Sequence, residues 1–259
     1  MISSTSNTRI KNIGILKKSA KERKEQGSFI VEGPRMFFEI PRERLKEAYL
    51  TEAFKERYEA ELSGYSYEII SDAVCRHLSD TKTPQGVIAV VEKREISLSE
   101  LLKLEKNPCF LLLENLQDPG NMGTILRTGE GAGVTGVIMN RSTVDPYNPK
   151  VIRATMGAVF RVPFVITDDF GEAIGCLKKA GITIYAAHLD GKVFYEYDYR
   201  PGCAFLIGNE GKGLTKETAL EAERLIRIPM KGQVESLNAA VASTVLLYEV
   251  MRQRDWMNR

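Results

Sequence analysis

The sequence predicts an α/β protein whose larger part is a mainly parallel sheet with helices on both faces. Three observations predict it. Short apolar runs at residues 110–113, 204–207 and 225–229 have the length of strands and lack alternation, as strands covered on both faces do. Helix-length segments separate such runs, so strand and helix alternate along the chain. Polar or glycine-rich loops follow them directly, and ligands bind there in α/β proteins because helix N-termini and free amides converge.

Taken in order, the chain opens on cations. Arg9, Lys11, Lys17, Lys18, Lys21, Arg23 and Lys24 lie close together, opposed only by Glu22. Ile10, Ile13 and Leu16 give this stretch an apolar edge at helical spacing, which predicts a docked basic helix. Its charged side has two readings, a phosphate-binding face or a solvated surface. Strands are expected at 28–31, 45–50, 67–70 and 86–91, with helices at 34–38, 52–62 and 72–78 between them. Residues 1–93 thus read as a small α/β domain, and the charged stretch 94–107 as a partly helical linker.

Residues 108–259 form the second expected domain. The strand 110–113 leads into a loop at 115–123 and a helix from Thr124 to about Glu130 that carries Arg127. Gly129, Gly131 and Gly133 follow a helix rather than a strand, so they read as a helix end and tight turn, not a dinucleotide fingerprint. Further strands are expected at 136–139, 162–166, 182–187 and 204–207, and helices at 149–158 and 172–180. Gly208, Asn209, Glu210, Gly211, Lys212 and Gly213 come next, and glycines there permit close approach of the backbone to a bound molecule. The run 225–229 is stopped by Pro229. A polar loop with Lys231, Gly232, Gln233, Val234, Glu235, Ser236 and Asn238 precedes the last helix, with Ser236 as its start signal.

That last helix, 239–251, is apolar or small at almost every position. A helix apolar on most sides is buried on most sides. A second subunit satisfies this, and so does a central place in a monomer.

Composition narrows the class. The chain has 259 residues, 43% hydrophobic and 27% charged, enough for one large domain or two small ones with a core. A net charge of +2 says little about partners. No apolar run reaches the ~18 residues a membrane span needs, and no signal-peptide core opens the chain, so a cytoplasmic location is expected. Cys75, Cys109, Cys176 and Cys203 lack metal-ligand spacing, and His77 and His188 lie far apart, so no metal site is expected. Cys109 and Cys203 each open an apolar run and read as buried small hydrophobes.

Three stretches carry a resemblance: ENLQDPGNMGTILRTGEGAGVTGVIM at 114–139, FLIGNEGKGL at 205–214 and IPMKGQVESLNAAVA at 228–242. In this order they resemble the signature motifs of the SpoU (TrmH) RNA ribose 2′-O-methyltransferases of the SPOUT class. The first domain, with FIVEG at 29–33 and TPQGVIAV at 83–90, resembles the ribosomal-protein-like substrate-binding domain that often precedes them.

The resemblance implies a deep trefoil knot near the C-terminus and an S-adenosylmethionine pocket lined by Gly208, Ile228 and Leu237, with Met230 beside them. It implies a homodimer through the last helix, in which the site borrows groups from the second subunit. It gives Arg127 the central role, and Asn121, Glu210, Ser236 and Asn238 the task of orienting it, the ribose and the loops. A guanidinium is a poor base. Arg127 is therefore expected to hold the target phosphate and ribose and to stabilise the emerging 2′-alkoxide. The expected substrate is 23S ribosomal RNA, with transfer RNA second and DNA excluded because it lacks the 2′-hydroxyl. The competing class is a non-catalytic RNA-binding protein that retains the knot, and the complete set of polar motif residues argues against it.

Overall fold

The computed structural model describes residues 1–234 and 236–255, so Glu235 of the polar loop lies outside it. Contacts divide the chain into two units, Met1–Arg94 with Asp145–Phe160, and Glu95–Val144 with Arg161–Arg259.

In the first unit the basic stretch folds as α1 (Thr8–Lys18) and α2 (Ala20–Glu25). The expected single helix is two, because Ser19 turns extended (φ −111°, ψ 112°) and its side chain caps α2. Next come β1 (Ser28–Glu32), α3 (Pro34–Phe38), β2 (Leu45–Leu50), α4 (Glu52–Arg57), β3 (Glu68–Ile69), α5 (Asp72–Leu78) and β4 (Val87–Glu92). α4 stops short of the expected Leu62 because Tyr58 leaves the helical region (φ −120°, ψ 29°). The sheet order is β1-β4-β2-β3, with β4 antiparallel to both neighbours and β2 parallel to β3. Ile10, Ile13 and Leu16 of α1, with Val74 and Leu78 of α5, cover one face over Ile30, Ile88 and Val90.

Docking that apolar edge uses up much of the charge beside it. Arg23 is only 3% exposed. Its guanidinium pairs with Asp145 at 2.6 Å and donates to the carbonyls of Leu16 and Lys17. The Lys17 ammonium pairs with Asp80 at 3.1 Å and lies 4.0 Å from Glu32. Arg9 pairs with Glu68, and Lys21 with Glu25. Lys11, Lys18 and Lys24 stay exposed, without an ion-pair partner among the described residues.

The second unit opens with α6 (Leu98–Leu101), β5 (Cys109–Leu113), α7 (Pro119–Gly131) and β6 (Gly136–Asn140). The chain then rejoins the first unit for α8 (Pro149–Thr155) and a 3₁₀ turn at Ala158–Phe160. The sequence assigned this stretch to the second expected domain, and its contacts are with the first unit: Phe29 of β1 packs on Tyr147 at 4.5 Å and Phe160 at 6.2 Å between ring centres. Left-handed Met156 (φ 52°) ends α8 before the expected Ala158.

The second unit continues with β7 (Phe164–Thr167), α9 (Phe170–Lys179), β8 (Thr183–Val193), β9 (Cys203–Ile207), α10 (Lys216–Leu220), β10 (Arg224–Arg227) and α11 (Ala239–Asp255). Its six-stranded sheet has the order β10-β8-β9-β5-β6-β7, and every neighbouring pair is parallel. β5 and β9 are buried at every position, the reason they read as unbroken apolar runs. Phe110, Leu112, Ala204 and Leu206 meet Ile174 and Leu177 of α9 in one core layer. α11 packs on α7, β9 and β5.

Cys109 and Cys203 are register partners, 2% and 1% exposed, and both are free thiols, as the small-hydrophobe reading expected. β8 does not end at His188 but runs on to Val193, with a bulge between its two stretches of pairing to β10. Among the described residues no helix is long and apolar enough to cross a membrane.

α11 departs from the all-round burial its sequence suggested. Leu246, Leu247 and Val250 are buried, whereas Val241 is 47% and Tyr248 44% exposed, so one stripe stays open on this chain.

Arg23→Met should lower the unfolding free energy by about 3 kcal/mol, because it leaves Asp145 and two carbonyls without their donor. Urea unfolding followed by circular dichroism checks this, and a loss below about 1 kcal/mol would make the pair an ordinary surface bridge.

Candidate active site at the carboxyl ends of the parallel strands

Parallel neighbours end side by side, so the loops after β5, β9 and β10 gather at one edge of the sheet. α7 starts earlier than the sequence suggested, with Pro119 in its first turn and Asp118 accepting the Asn121 amide at 2.8 Å. The cap is therefore Asp118, and Asn121 sits inside the first helical turn. That frees its side chain for other contacts.

Asn121 is 9% exposed and both ends of its side-chain amide are used. Nδ2 donates to Glu210 Oε1 at 3.0 Å, and Oδ1 accepts from Asn238 Nδ2 at 2.9 Å. One side chain thus joins the loop after β9 to the loop before α11. The Glu210 carboxylate also accepts from the amides of Asp118 (2.9 Å) and Gln117 (3.1 Å). Partial burial works to raise its pKa, but these bonds, led by that from Asn121, outweigh it and hold the carboxyl below its ordinary 4.5. Glu210 is ionised at neutral pH.

Asn238 takes the cap position expected of Ser236. Its Oδ1 accepts from the amides of Ala240 (2.9 Å) and Val241 (3.3 Å), so α11 begins only at Ala239. Ser236 is exposed and makes no hydrogen bond to the described residues.

Arg127 is not brought to this junction. It lies six residues after Asn121 on α7, about 9 Å along the axis and about 120° round it. It is exposed, with no ion pair or hydrogen bond among the described residues. Its neighbours on α7 meet α11: a Cβ on Gly131, one turn on, would lie 3.4 Å from the Tyr248 hydroxyl, and Thr244 Oγ1 bonds Thr128 Oγ1 at 3.1 Å.

The expected cofactor residues divide differently. A Cβ on Gly208 would fall 2.2 Å from the Gly213 carbonyl carbon and 2.3 Å from the Leu214 nitrogen. The close approach that Gly208 serves is therefore to its own loop. Asn209 and Gly213 exchange backbone bonds of 3.0 and 2.9 Å, and the Asn209 side chain accepts from the amides of Gly211 and Lys212. Ile228, Met230 and Leu237 are half-buried on the loop between β10 and α11. Half-buried apolar side chains and a self-closed glycine loop are residue types that suit a nucleoside-type cofactor. Among the described residues no group of three His, Cys, Asp or Glu side chains is placed to hold a metal ion.

Two residues escaped the sequence reading. Asn115 adopts a left-handed conformation (φ 56°), which asparagine tolerates, and its carbonyl accepts from Asn209 Nδ2 at 2.9 Å. Glu114, at the end of β5, is 5% exposed and bonded to Thr215 and Thr218. An acid closing a wholly apolar strand was the available signal. The hollow lined by Lys106, Arg200 and Arg254 contains none of the motif residues.

The profile of the SpoU rRNA Methylase family matches residues 108–248. The chain belongs to this family. Residues 7–89 match the MRM3-like substrate binding domain. The chain is similar to the 23S rRNA guanosine 2′-O-methyltransferase RlmP of Bacillus subtilis, with 30% identity over 89% of this chain and 91% of that protein. It is 37% identical to the 23S rRNA guanosine-2′-O-methyltransferase RlmB of Bordetella pertussis, over 66% of this chain and 71% of that one. Among solved structures, the AdoMet-bound rRNA methyltransferase from Sinorhizobium meliloti aligns with a TM-score of 0.83 and 31% identity over 97% of each chain. The SpoU methyltransferase AviRb from Streptomyces viridochromogenes, in complex with AdoMet, aligns with a TM-score of 0.86 and 26% identity, over 96% of this chain and 98% of that one.

In this SpoU protein the Glu210 bonds have a pH signature. A carboxyl held below its ordinary pKa adds stability that is fully present above the unfolded value and is lost as pH falls through the folded one. Asn121→Ala should raise the Glu210 pKa and weaken the stability loss below about pH 4.5, read by carboxyl NMR titration and acid unfolding. An unchanged titration would assign the shift to the two backbone amides alone.

Proposed function

We propose that this chain transfers a methyl group from S-adenosylmethionine to a ribose 2′-hydroxyl of structured RNA, with 23S ribosomal RNA as substrate and the cytoplasm as its place of work. The observation that carries this is the Glu210–Asn121–Asn238 junction, which gathers all three family motifs at the edge where α/β proteins bind ligands. The ribosomal substrate rests on extent: RlmP matches 89% of this chain, whereas a structure concerned with methylation of C/U34 on tRNA covers 60% of it. Transfer RNA is the second reading. Against a non-catalytic binding protein stands the full set Asn121, Arg127, Glu210, Ser236 and Asn238.

We read the C-terminal segment as the trefoil knot of the family, with Gly208, Ile228, Met230 and Leu237 lining the cofactor pocket. When bound, the cofactor would supply a methyl group activated on a positively charged sulfur. For the ribose 2′-hydroxyl to accept it, the hydroxyl proton must pass to neighbouring groups, and the negative charge uncovered on oxygen needs a cation close by. A guanidinium is a poor base, so Arg127 stabilises the developing 2′-alkoxide and holds the adjacent phosphate rather than taking the proton. Asn121 and Asn238, fixed by their mutual bond, orient the loops around the ribose, and Ser236 is free to meet it.

Arg127 stands apart from that junction in its own chain, on the side of α7 that borders the open stripe of α11. A second copy docked over Val241 and Tyr248 would cover this side. We therefore propose a homodimer whose site combines Arg127 of one protomer with the loops of its partner. RNA affinity is assigned to the first unit, and of the basic stretch only Lys11, Lys18 and Lys24 remain open to phosphate along with the weakly paired Lys21.

Arg127→Ala should abolish methyl transfer while cofactor affinity, read by calorimetry, stays within about tenfold. Nucleoside digestion of RNA modified by the wild-type protein should place the methyl on the ribose; a methyl on the free base would overturn the assignment.

Lys11→Gln with Lys18→Gln should weaken RNA binding and lower its salt slope by roughly one unit per lost phosphate contact. An unchanged slope makes them solvated surface.

Val241→Glu should yield monomers in light scattering and lose methyl transfer together. A wild-type monomer at micromolar concentration defeats the dimer.

A further inference from the structure

The loop 208–214 is held at both of its ends by one residue. The Glu114 amide donates to the carbonyl of Ile207, the last residue before the loop, at 2.9 Å. Its side chain reaches the first residue after the loop: Oε2 accepts from the Thr215 amide at 2.8 Å, and Oε1 from the Thr215 hydroxyl at 2.8 Å. Oε1 also accepts from the Thr218 hydroxyl. Glu114 is 5% exposed and has no cation partner among the described residues.

A buried carboxylate facing only neutral donors is an expensive way to fill space. Its donors explain the choice. Thr215 caps α10 by accepting from the Thr218 amide at 3.2 Å, and its hydroxyl lies 2.8 Å from Glu114 Oε1 and 3.0 Å from Thr218 Oγ1, which itself donates to Glu114. An acceptor-only group therefore orients both threonine hydroxyls and leaves the Thr215 lone pairs for the helix. The loop between these anchors is already closed on itself, through Asn209 and Gly213 and through the contact of Gly208 with the Gly213–Leu214 peptide. The loop's own bonds and the clamp at its ends thus tie its whole length to Glu114.

We propose that Glu114 is the positioning residue of the cofactor loop: its carboxylate sets where the loop 208–214 stands over the end of β5. This rests on the reading that the loop lines the S-adenosylmethionine pocket. Glu114 touches no reacting atom, so its loss should act on cofactor binding before it acts on chemistry.

The test compares Glu114→Gln, Thr218→Val and the conservative Thr215→Ser in the full chain. Calorimetry with S-adenosylmethionine, filter binding of RNA, unfolding midpoints and steady-state kinetics are measured for each. Glu114→Gln and Thr218→Val should each raise the cofactor Kd and KM about tenfold, with RNA affinity and kcat at saturating cofactor retained. Thr215→Ser, which keeps the hydroxyl, should behave as wild type. A purely structural anchor would instead lower the unfolding midpoint with cofactor KM unchanged, and that result overturns the proposal. If Glu114→Gln does not fold, Thr218→Val decides alone. Leu237→Arg, on the other pocket loop, separates this inference from the pocket reading. Wild-type cofactor binding in Leu237→Arg would remove the pocket reading and the inference with it. Lost binding there, with wild-type binding in Glu114→Gln and Thr218→Val, would overturn the role of Glu114 alone.

Discussion

The side-chain amide of Asn121 is the point on which the site depends. A primary amide has a donor end and an acceptor end, and here each is given to a different loop, Glu210 through Nδ2 and Asn238 through Oδ1. A carboxylate here would repel Glu210, and an aliphatic side chain would leave both loops without the bonds that join them. Three segments far apart in sequence are registered against one another by two bonds. The position of Asn121 in the first turn of α7 is in turn fixed by the Asp118 cap.

Around that junction the same theme recurs: polar side chains at the carboxyl edge are spent on holding backbone. Asn209 binds its own loop and the carbonyl of Asn115, Glu114 binds Thr215 and Thr218, and Asn238 caps α11. These loops carry no regular ladder of their own, so side chains satisfy the amides that strands and helices would otherwise satisfy internally. The consequence is an edge on which few side chains remain uncommitted. Ser236 is one of them, and Arg127, further along α7, is also unpaired among the described residues. On the proposed reading they are the groups left to meet substrate.

The first unit shows the opposite use of charge. A basic run looks like one surface when read as a string, but docking Ile10, Ile13 and Leu16 into the core turns Lys17 and Arg23 inward. Once turned in, those cations need acids, and Asp80 and Asp145 provide them from distant segments. Charge that seems available for a polyanion is partly consumed by the fold.

The sequence by itself determined the elements that a local pattern can specify. β5 and β9 were legible because strands buried on both faces must be apolar throughout, α5 was legible to the residue, and Cys109 and Cys203 were recognisable as core. Asn121, Glu210 and Asn238, singled out from the motifs, do come together. Only the tertiary structure decided which of them serve the fold and which stay free. It gave the cap of α7 to Asp118 and that of α11 to Asn238, turned Gly208 toward its own loop, left Arg127 on an open face and moved Asp145–Phe160 into the first unit. The reason is physical. Periodicity and propensity act over a few residues, whereas a hydrogen bond from Asn121 to Glu210 or a ring contact from Phe29 to Tyr147 joins residues whose separation along the chain carries no local signal.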